Sequence, residues 1–265
     1  MVDVLIPTRN RTEALAVTLT SLCFQDYRDF TVTIANQGDR RQLESDHSLA
    51  CALRLLRLRG HRPRVLDNLP RRGMAQQRQF LLDHSRAKYC LFLDDDVVLE
   101  PFVIRNLVRV LRERGCGFAG NAVIGLSYLR DHRPTEQHIE FWDDSVQPET
   151  VRPDSAEWQR HMLHNAANLW HVQQRLEISS DAPRAYKVAW IGGCVLYDAQ
   201  KLHAAGGFSF WQDLPCEHSG EDVLAQLRVM RRSGGCGVLP SGAYHQEWPT
   251  TLSDRKADAP LCLPI

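Results

Sequence analysis

The sequence predicts an α/β fold, a mixed but mainly parallel sheet flanked by helices, and three observations carry that prediction. Apolar runs of strand length alternate with helix-period stripes along the first 125 residues, the pattern of successive β-α-β units. The run Tyr89–Leu93 is apolar on both faces, as a strand covered by helices on either side must be. Three acids, Asp94, Asp95 and Asp96, follow it at its carboxyl end, where open α/β sheets bind their ligands.

Residues 2–6 are rich in strand formers and end at Pro7. The polar stretch 8–12 (TRNRT) leads to a helix with Leu15, Leu19 and Leu22 on one stripe, Thr12 as its cap and Glu13 in its first turn. A second strand over 30–35 closes with Asn36, Gln37, Gly38 and Asp39, and a helix over 42–58 and a weak strand at 64–66 continue the alternation. Gly73 lets backbone approach a ligand closely, with Arg71 and Arg72 beside it to face phosphate. The helix from 74 to 84 carries Arg78 and runs into the central strand. If residues 94–96 continue extended, Asp94 and Asp96 share one face and Asp95 points away. Such a pair suits a hard divalent cation completed by substrate phosphate. Pro101 opens a helix striped by Val103, Leu107, Val110 and Leu111, and residues 115–120 return to the sheet.

From 127 to 185 the character changes to tryptophans, prolines and five histidines in a polar background. Residues 157–176 read as one long helix. His132, His138, His161, His164 and His171 lack ligand spacing and are read as surface or lining residues of a segment that covers a substrate site. Residues 188–197 (VAWIGGCVLY) resume strand character, with Gly192 and Gly193 allowing a bend or a ligand's close approach. A short helix over 198–204 stops at Gly206-Gly207. Glu221 and Asp222 open a helix faced by Val223, Leu227 and Met230, a position the helix dipole favours for acids. A strand at 236–239, the stretch AYHQEW and an aperiodic tail from 251 complete the chain.

Lys plus Arg equals Asp plus Glu at 32 each, so no net field draws the chain to nucleic acid or an anionic membrane. The eight cysteines have no close pair and read as reduced thiols. The opening residues lack a signal-peptide pattern, and the longest apolar segment, 188–197, is about half of what a spanning helix needs. These features predict a cytoplasmic protein with no transmembrane segment and no nucleic-acid partner.

Taken in order, VDVLIPTRNR, RRGMAQQRQ, LFLDDDV, WIGGCVLYDAQKLHAAGGF, GEDVLAQLRVMRRSG and AYHQE resemble the inverting nucleotide-sugar glycosyltransferases of family 2, whose fold is called GT-A. The resemblance covers about 1–125 and 186–248. It implies one domain over 1–250, with a nucleotide-sugar-binding half at 1–125, an inserted segment at 126–185, an acceptor-binding and catalytic half at 186–250, and a tail at 251–265. It also implies that Pro7, Thr8 and Arg9 border the nucleoside and that Asn36 to Asp39 contact the base. Arg72, Arg78, Asp94 and Asp95 are further donor-binding residues by the same resemblance, and Trp190, Gly192 and Gly193 are acceptor-binding. Asp96 and Asp94, completed by His245, hold Mn²⁺ or Mg²⁺, while Asp222 is the catalytic base and Glu221 supports it.

The implied reaction moves a sugar from a nucleotide-diphosphate sugar to a hydroxyl on a carbohydrate, a lipid-linked or a small-molecule acceptor. Asn36 and Gln37 stand where the family commonly has an Asp that accepts from the base. An amide both donates and accepts, so a UDP-sugar is favoured while GDP- and dTDP-sugars also fit. A nucleotidyltransferase, which would release pyrophosphate, is a rival reading. A nucleotide-sugar-binding protein that has lost transfer is another, and such a protein has no need of both Asp96 and Asp222.

Overall fold

The computed structural model describes residues 1–250 and 256–265. Strands β1 (Val2–Thr8), β2 (Phe30–Asn36), β3 (Pro63–Asp67) and β4 (Tyr89–Leu93) lie parallel in the order β3-β2-β1-β4. They are joined through α1 (Thr12–Leu22), α2 (Arg40–Ser45) with α3 (His47–Leu58), and α4 (Met74–Asp83). The alternation predicted for the first half is therefore real, and it leaves the carboxyl ends of β1, β2 and β4 side by side.

The chain then leaves the large sheet and returns to it. β5 (Val97–Leu99), α5 (Val103–Arg114), β6 (Phe118–Gly120) and β7 (Ile124–Gly125) precede the inserted segment, which contains α6 (Asn168–Leu176) and ends in β8 (Arg184–Tyr186). β9 (Cys194–Asp198), α7 (Ala199–Ala204), α8 (Glu221–Ser233), β10 (Gly235–Leu239), β11 (Ala243–His245) and α9 (Ala259–Cys262) follow. The large sheet has eight strands in the order β3-β2-β1-β4-β9-β6-β10-β8. β9 is antiparallel to both β4 and β6, so a strand from the second half of the chain sits inside the sheet begun by the first.

Both faces of this sheet are covered. Val2, Val4 and Ile6 pack with Leu15, Leu19 and Leu22 of α1 and Leu56 of α3. Leu5 and Phe92 face the other way, with Leu81 and Leu82 of α4 and Leu224 and Leu227 of α8. Full burial of each such side chain is worth about 1.5–3 kcal/mol, which fixes the helices against the strands that end at the site.

A second, three-stranded sheet, β5-β11-β7, sits beyond β4. β5 starts directly after the acid triplet and pairs antiparallel with β11, placing His245 opposite Val97. The backbone N–H of Gln246 donates to the Asp96 carbonyl at 2.8 Å, which brings the end of β11 to the triplet.

Four local expectations are corrected. Residues 42–58 form two helices because the Asp46 side chain accepts from Leu49 N–H at 2.8 Å and starts α3 anew. Residues 157–176 are a 3₁₀ stretch over Ala156–His164 and then α6. The break comes where Ala166 takes φ 51° and where Asn165 and Asn168 turn their amides to Glu136. Within 188–197 only β9 is strand, because the Gln226 side chain bonds the N–H and carbonyl of Ile191 at 2.8 and 2.7 Å in place of a neighbouring strand. Thr12 is the buried first residue of α1; the cap position is Arg11, with no capping hydrogen bond.

Of the tail expected from 251, residues 251–255 lie outside the described ones. The remainder packs back onto the domain: Ser219 N–H donates to Ala257 O and Ala259 N–H to Ser219 O, both at 2.9 Å. No helix among the described residues is long and apolar enough to cross a membrane.

Candidate active site

A cavity of about 420 Å³ opens at the carboxyl ends of β1 and β4 and at the amino terminus of α8. The acid triplet forms its floor, and the predicted alternation does not hold there. The chain turns at Asp95 and Asp96 because Asp94 N–H is held by Gly193 O at 2.9 Å and Thr18 Oγ1 donates to Asp95 O at 2.9 Å. As a result Asp95 and Asp96 share a partner, and Asp94 faces another group.

That shared partner is Arg11. Its guanidinium reaches Asp95 Oδ1 at 3.1 Å and also bonds Asp96 Oδ2. Thr8 Oγ1 donates to the other Asp95 oxygen at 2.7 Å. Burial pushes the Asp95 carboxyl up to about 7 against the pull of Thr8 and Arg11. Asp96 Oδ2 also lies 3.3 Å from His245 Nε2. His245 Nδ1 accepts from Glu247 N–H at 2.8 Å, so in the neutral ring the proton is on Nε2 and points at Asp96.

On the opposite wall Asp94 belongs to a second cluster. Arg78, only 6% exposed, donates to Asp94 Oδ1 and to Glu221 Oε1, each at 3.0 Å, and lies over the Phe92 ring. Glu221 is buried and Asp222 is beside it at the start of α8. Burial, then the neighbouring Glu221 charge, raises the Asp222 carboxyl to about 7, with Arg78 opposing. Asp222 is thus a carboxylate poised to accept a proton near neutral pH, held on a helix end that its neighbour anchors.

Two glycines make this closeness possible. Gly73, φ 98°, begins α4 where a Cβ would meet His218 Cε1 at 2.5 Å, and His218 Nε2 accepts from Ala75 N–H at 3.0 Å. Gly220, φ 73°, precedes Glu221 where a Cβ would stand 2.1 Å from Asp258 Oδ1. A side chain at either position would push the loop before α8 away from the cavity.

The kind and span of the donors fit a divalent cation. Oxygen and imidazole ligands about 2.1 Å from an octahedral metal lie about 3.0 Å apart, close to the 3.3 Å between Asp96 and His245 Nε2, which would offer a lone pair once Nδ1 takes the ring proton and gives up Glu247 N–H. Among the described residues no group of three or more acids, histidines or cysteines is arranged to hold a metal, so further ligands would have to come from substrate.

The other expected residues divide by position. Pro7, Thr8, Arg9, Arg78, Asp94, Asp95, Asp96, Glu221, Asp222 and His245 all line the cavity. Asn36 is buried just behind it, tied to Asp67 at 3.0 Å. Asp39 is an exposed cap of α2, bonded to Arg41 N–H, and Arg72 lies over Trp211; neither lines the cavity. Arg71, which does, pairs with Glu217 at 2.5 Å. Gln37 lines the wall and donates to Gln76. Trp190 is packed against His161, and Gly193 sits behind the triplet against Val123. Arg11 was absent from the sequence-based site, because its reach depends on the turn at Asp95 and Asp96. The signal available was its place two residues past the Arg9 turn.

A second cavity, about 380 Å³, meets the first at His245 and is lined by Val123, Ser127, Tyr128, His164 and Glu247. Glu247 takes φ 60° and accepts from Ser127 Oγ at 2.7 Å.

Comparison with known proteins now places the chain. The family described as glycosyl transferase family 2 matches residues 3–175. No curated protein matches the sequence. Among solved structures, S. aureus TarS 1-349 aligns over 92% of this chain with a TM-score of 0.58 and 14% identity. The same protein in complex with UDP-GlcNAc aligns over 95%, with a TM-score of 0.57 and 14% identity. The mannosyltransferase PcManGT from Pyrobaculum calidifontis, in complex with GDP-Man and Mn²⁺, aligns over 89%, with a TM-score of 0.52 and 17% identity. The chain spans about 60% of each TarS 1-349 chain and 56% of PcManGT. With its sheet order, the carboxyl-end cavity and a family match over most of its length, this chain belongs to glycosyl transferase family 2 and has the GT-A fold.

Proposed function

We propose that this protein transfers a sugar from a nucleotide-diphosphate sugar to an acceptor hydroxyl with inversion, using Asp222 as general base and Mn²⁺ or Mg²⁺ at Asp96 and His245. One observation carries the reading: a single cavity holds both the Asp94–Asp96 turn and Asp222, the acid near neutrality at a helix start. Structures of similar fold bind UDP-GlcNAc, or GDP-Man with Mn²⁺, which supports a donor of this class.

In this reading the nucleoside lies along Pro7, Thr8 and Arg9, with its base toward Gln37. Asp222 takes the proton of the acceptor hydroxyl as its oxygen bonds to the anomeric carbon. The bond from that carbon to the diphosphate breaks on the opposite face, and the nucleoside diphosphate leaves with the electron pair. A bound divalent cation would neutralise the charge growing on the leaving diphosphate. Glu221, held by Arg78, keeps Asp222 at the end of α8 and raises its affinity for the proton. Asp94, on the same arginine, faces the donor ribose. The second cavity, lined by Val123 against Gly193 and joined to the first at His245, is the side from which the acceptor enters. One domain over 1–250 serves both halves, since β9 completes the sheet that β4 begins.

The test is release of nucleoside diphosphate from UDP-, GDP- and dTDP-sugars, each with and without Mn²⁺, alongside thermal shift. A ligand at a hundred times its Kd adds about 2.7 kcal/mol to the folded state. Metal-dependent stabilisation by one nucleotide class, lost in Asp96→Ala, supports the donor site. Pyrophosphate release from a nucleoside triphosphate would instead favour the nucleotidyltransferase reading.

A further inference from the structure

The same Asp96 oxygen that would face a metal already has two internal donors. Arg11 bonds Asp96 Oδ2, and the Nε2–H of His245 points at that atom from 3.3 Å. Arg11 spans two carboxylates with one fork, a geometry that lysine does not reproduce. Among the described residues its Nε is buried with no hydrogen-bond partner. The side chain is 16% exposed and lines the cavity, so it has room to move toward a ligand.

A guanidinium and a divalent cation brought to one carboxylate oxygen repel each other and compete for its negative charge, so each weakens the other's hold. We propose that Arg11 is a resident counter-cation of the triplet that competes with the divalent metal for Asp96, so that metal binds tightly only together with a nucleotide diphosphate. The diphosphate supplies the missing oxygens of the metal shell and gives the displaced guanidinium a new anionic partner. The inference rests on the metal reading above, and it makes Arg11 the residue that sets the coupling between metal and donor.

The experiment is a Mn²⁺ titration followed by loss of the free-ion electron paramagnetic resonance signal. It uses the wild-type chain, Arg11→Gln and Arg11→Lys, each alone and with UDP or GDP. Wild type is expected to bind Mn²⁺ weakly alone and much more tightly with one of the nucleotides. Arg11→Gln is expected to bind Mn²⁺ alone about tenfold tighter, about 1.4 kcal/mol, and to gain less from the nucleotide. Arg11→Lys keeps the charge without the fork and falls between. The gain must vanish in Arg11→Gln/Asp96→Asn; a gain that persists places the ion elsewhere and overturns the proposal. Unchanged or weaker Mn²⁺ binding by a folded Arg11→Gln chain, with wild type still binding Mn²⁺ and nucleotide together, overturns this inference and leaves the metal reading standing. Absence of Mn²⁺ binding in every chain, with either nucleotide, removes both. Circular dichroism on the same samples establishes that each variant is folded, with Arg11→Lys as the variant closest to native charge.

Discussion

Two arginines tie acids together on opposite walls of one cavity, and they are built differently. Arg78 rises from inside α4, is 6% exposed, lies over Phe92 and bonds Asp94 and Glu221 from different parts of the chain. Arg11 stands at the start of α1, is 16% exposed and bonds two adjacent residues of one turn. Burial pulls the pKa of Arg78 down, but Asp94, then Glu221 and Asp222, push it up further, and the net shift is upward. The first is a fixed joint between β4 and α8; the second is a clasp with somewhere to go. The same ion-pair chemistry therefore gives rigidity on one wall and exchangeability on the other, according to burial and to what else holds the side chain.

The largest expected effect lies on the rigid wall. Asp222→Asn is expected to lower transfer by about 10²–10⁴-fold with donor affinity little changed, read from turnover and donor titration. Near-normal turnover with donor bound would take the base role away from that wall. Arg78→Gln leaves two buried or half-buried acids without their counter-charge, and a loss of about 3–5 kcal/mol in urea unfolding is expected. Arg11→Gln is expected to cost less, about 1–3 kcal/mol, with part of the loss restored by Mn²⁺ plus nucleotide. Equal losses from the two substitutions would erase the distinction between joint and clasp.

Acidity sharpens the same contrast. Asp95 and Asp222 each have a folded-state pKa raised to about 7, so between about pH 4 and 7 the folded chain binds more protons than the unfolded one. Both contributions favour folding at the lower end and are lost as pH rises through 7. The urea midpoint is expected to fall over this window, while turnover rises as Asp222 loses its proton. Asp222→Asn should flatten part of the fall, and Arg11→Gln should steepen it by raising Asp95 further. The smallest effect expected is from Thr8→Val, which removes one 2.7 Å donor from Asp95 and costs about 1 kcal/mol in the same unfolding measurement.

The legible part of the molecule was the part whose chemistry is periodic. β4 is apolar on both faces and β1 nearly so, α1 and α5 carry clean stripes, and three acids after a buried strand mark a site in an α/β sheet. What failed was geometry set across the chain. Alternation assigned Asp94 and Asp96 to one face, but Gly193 O and Thr18 Oγ1 bend the triplet into a turn. Arg11 was missed for the same reason. Asp39 looked like a base contact from its place after β2, yet it serves α2 as a cap. In the inserted segment, Asn165 and Asn168 look like ordinary helix residues until Glu136, about thirty positions earlier, claims both amides.

The tail has a consequence for how firmly the start of α8 is held. Residues 257–259 bond Ser219 on both sides, Asp258 fills the space above Gly220, and Pro264 O accepts from Arg228 of α8. The helix start that carries Asp222 is therefore fastened by residues that lie well past the last strand of either sheet. Loosening residues 257–265 would thus free the Asp222 end of the cavity while β1 and β4 stay paired.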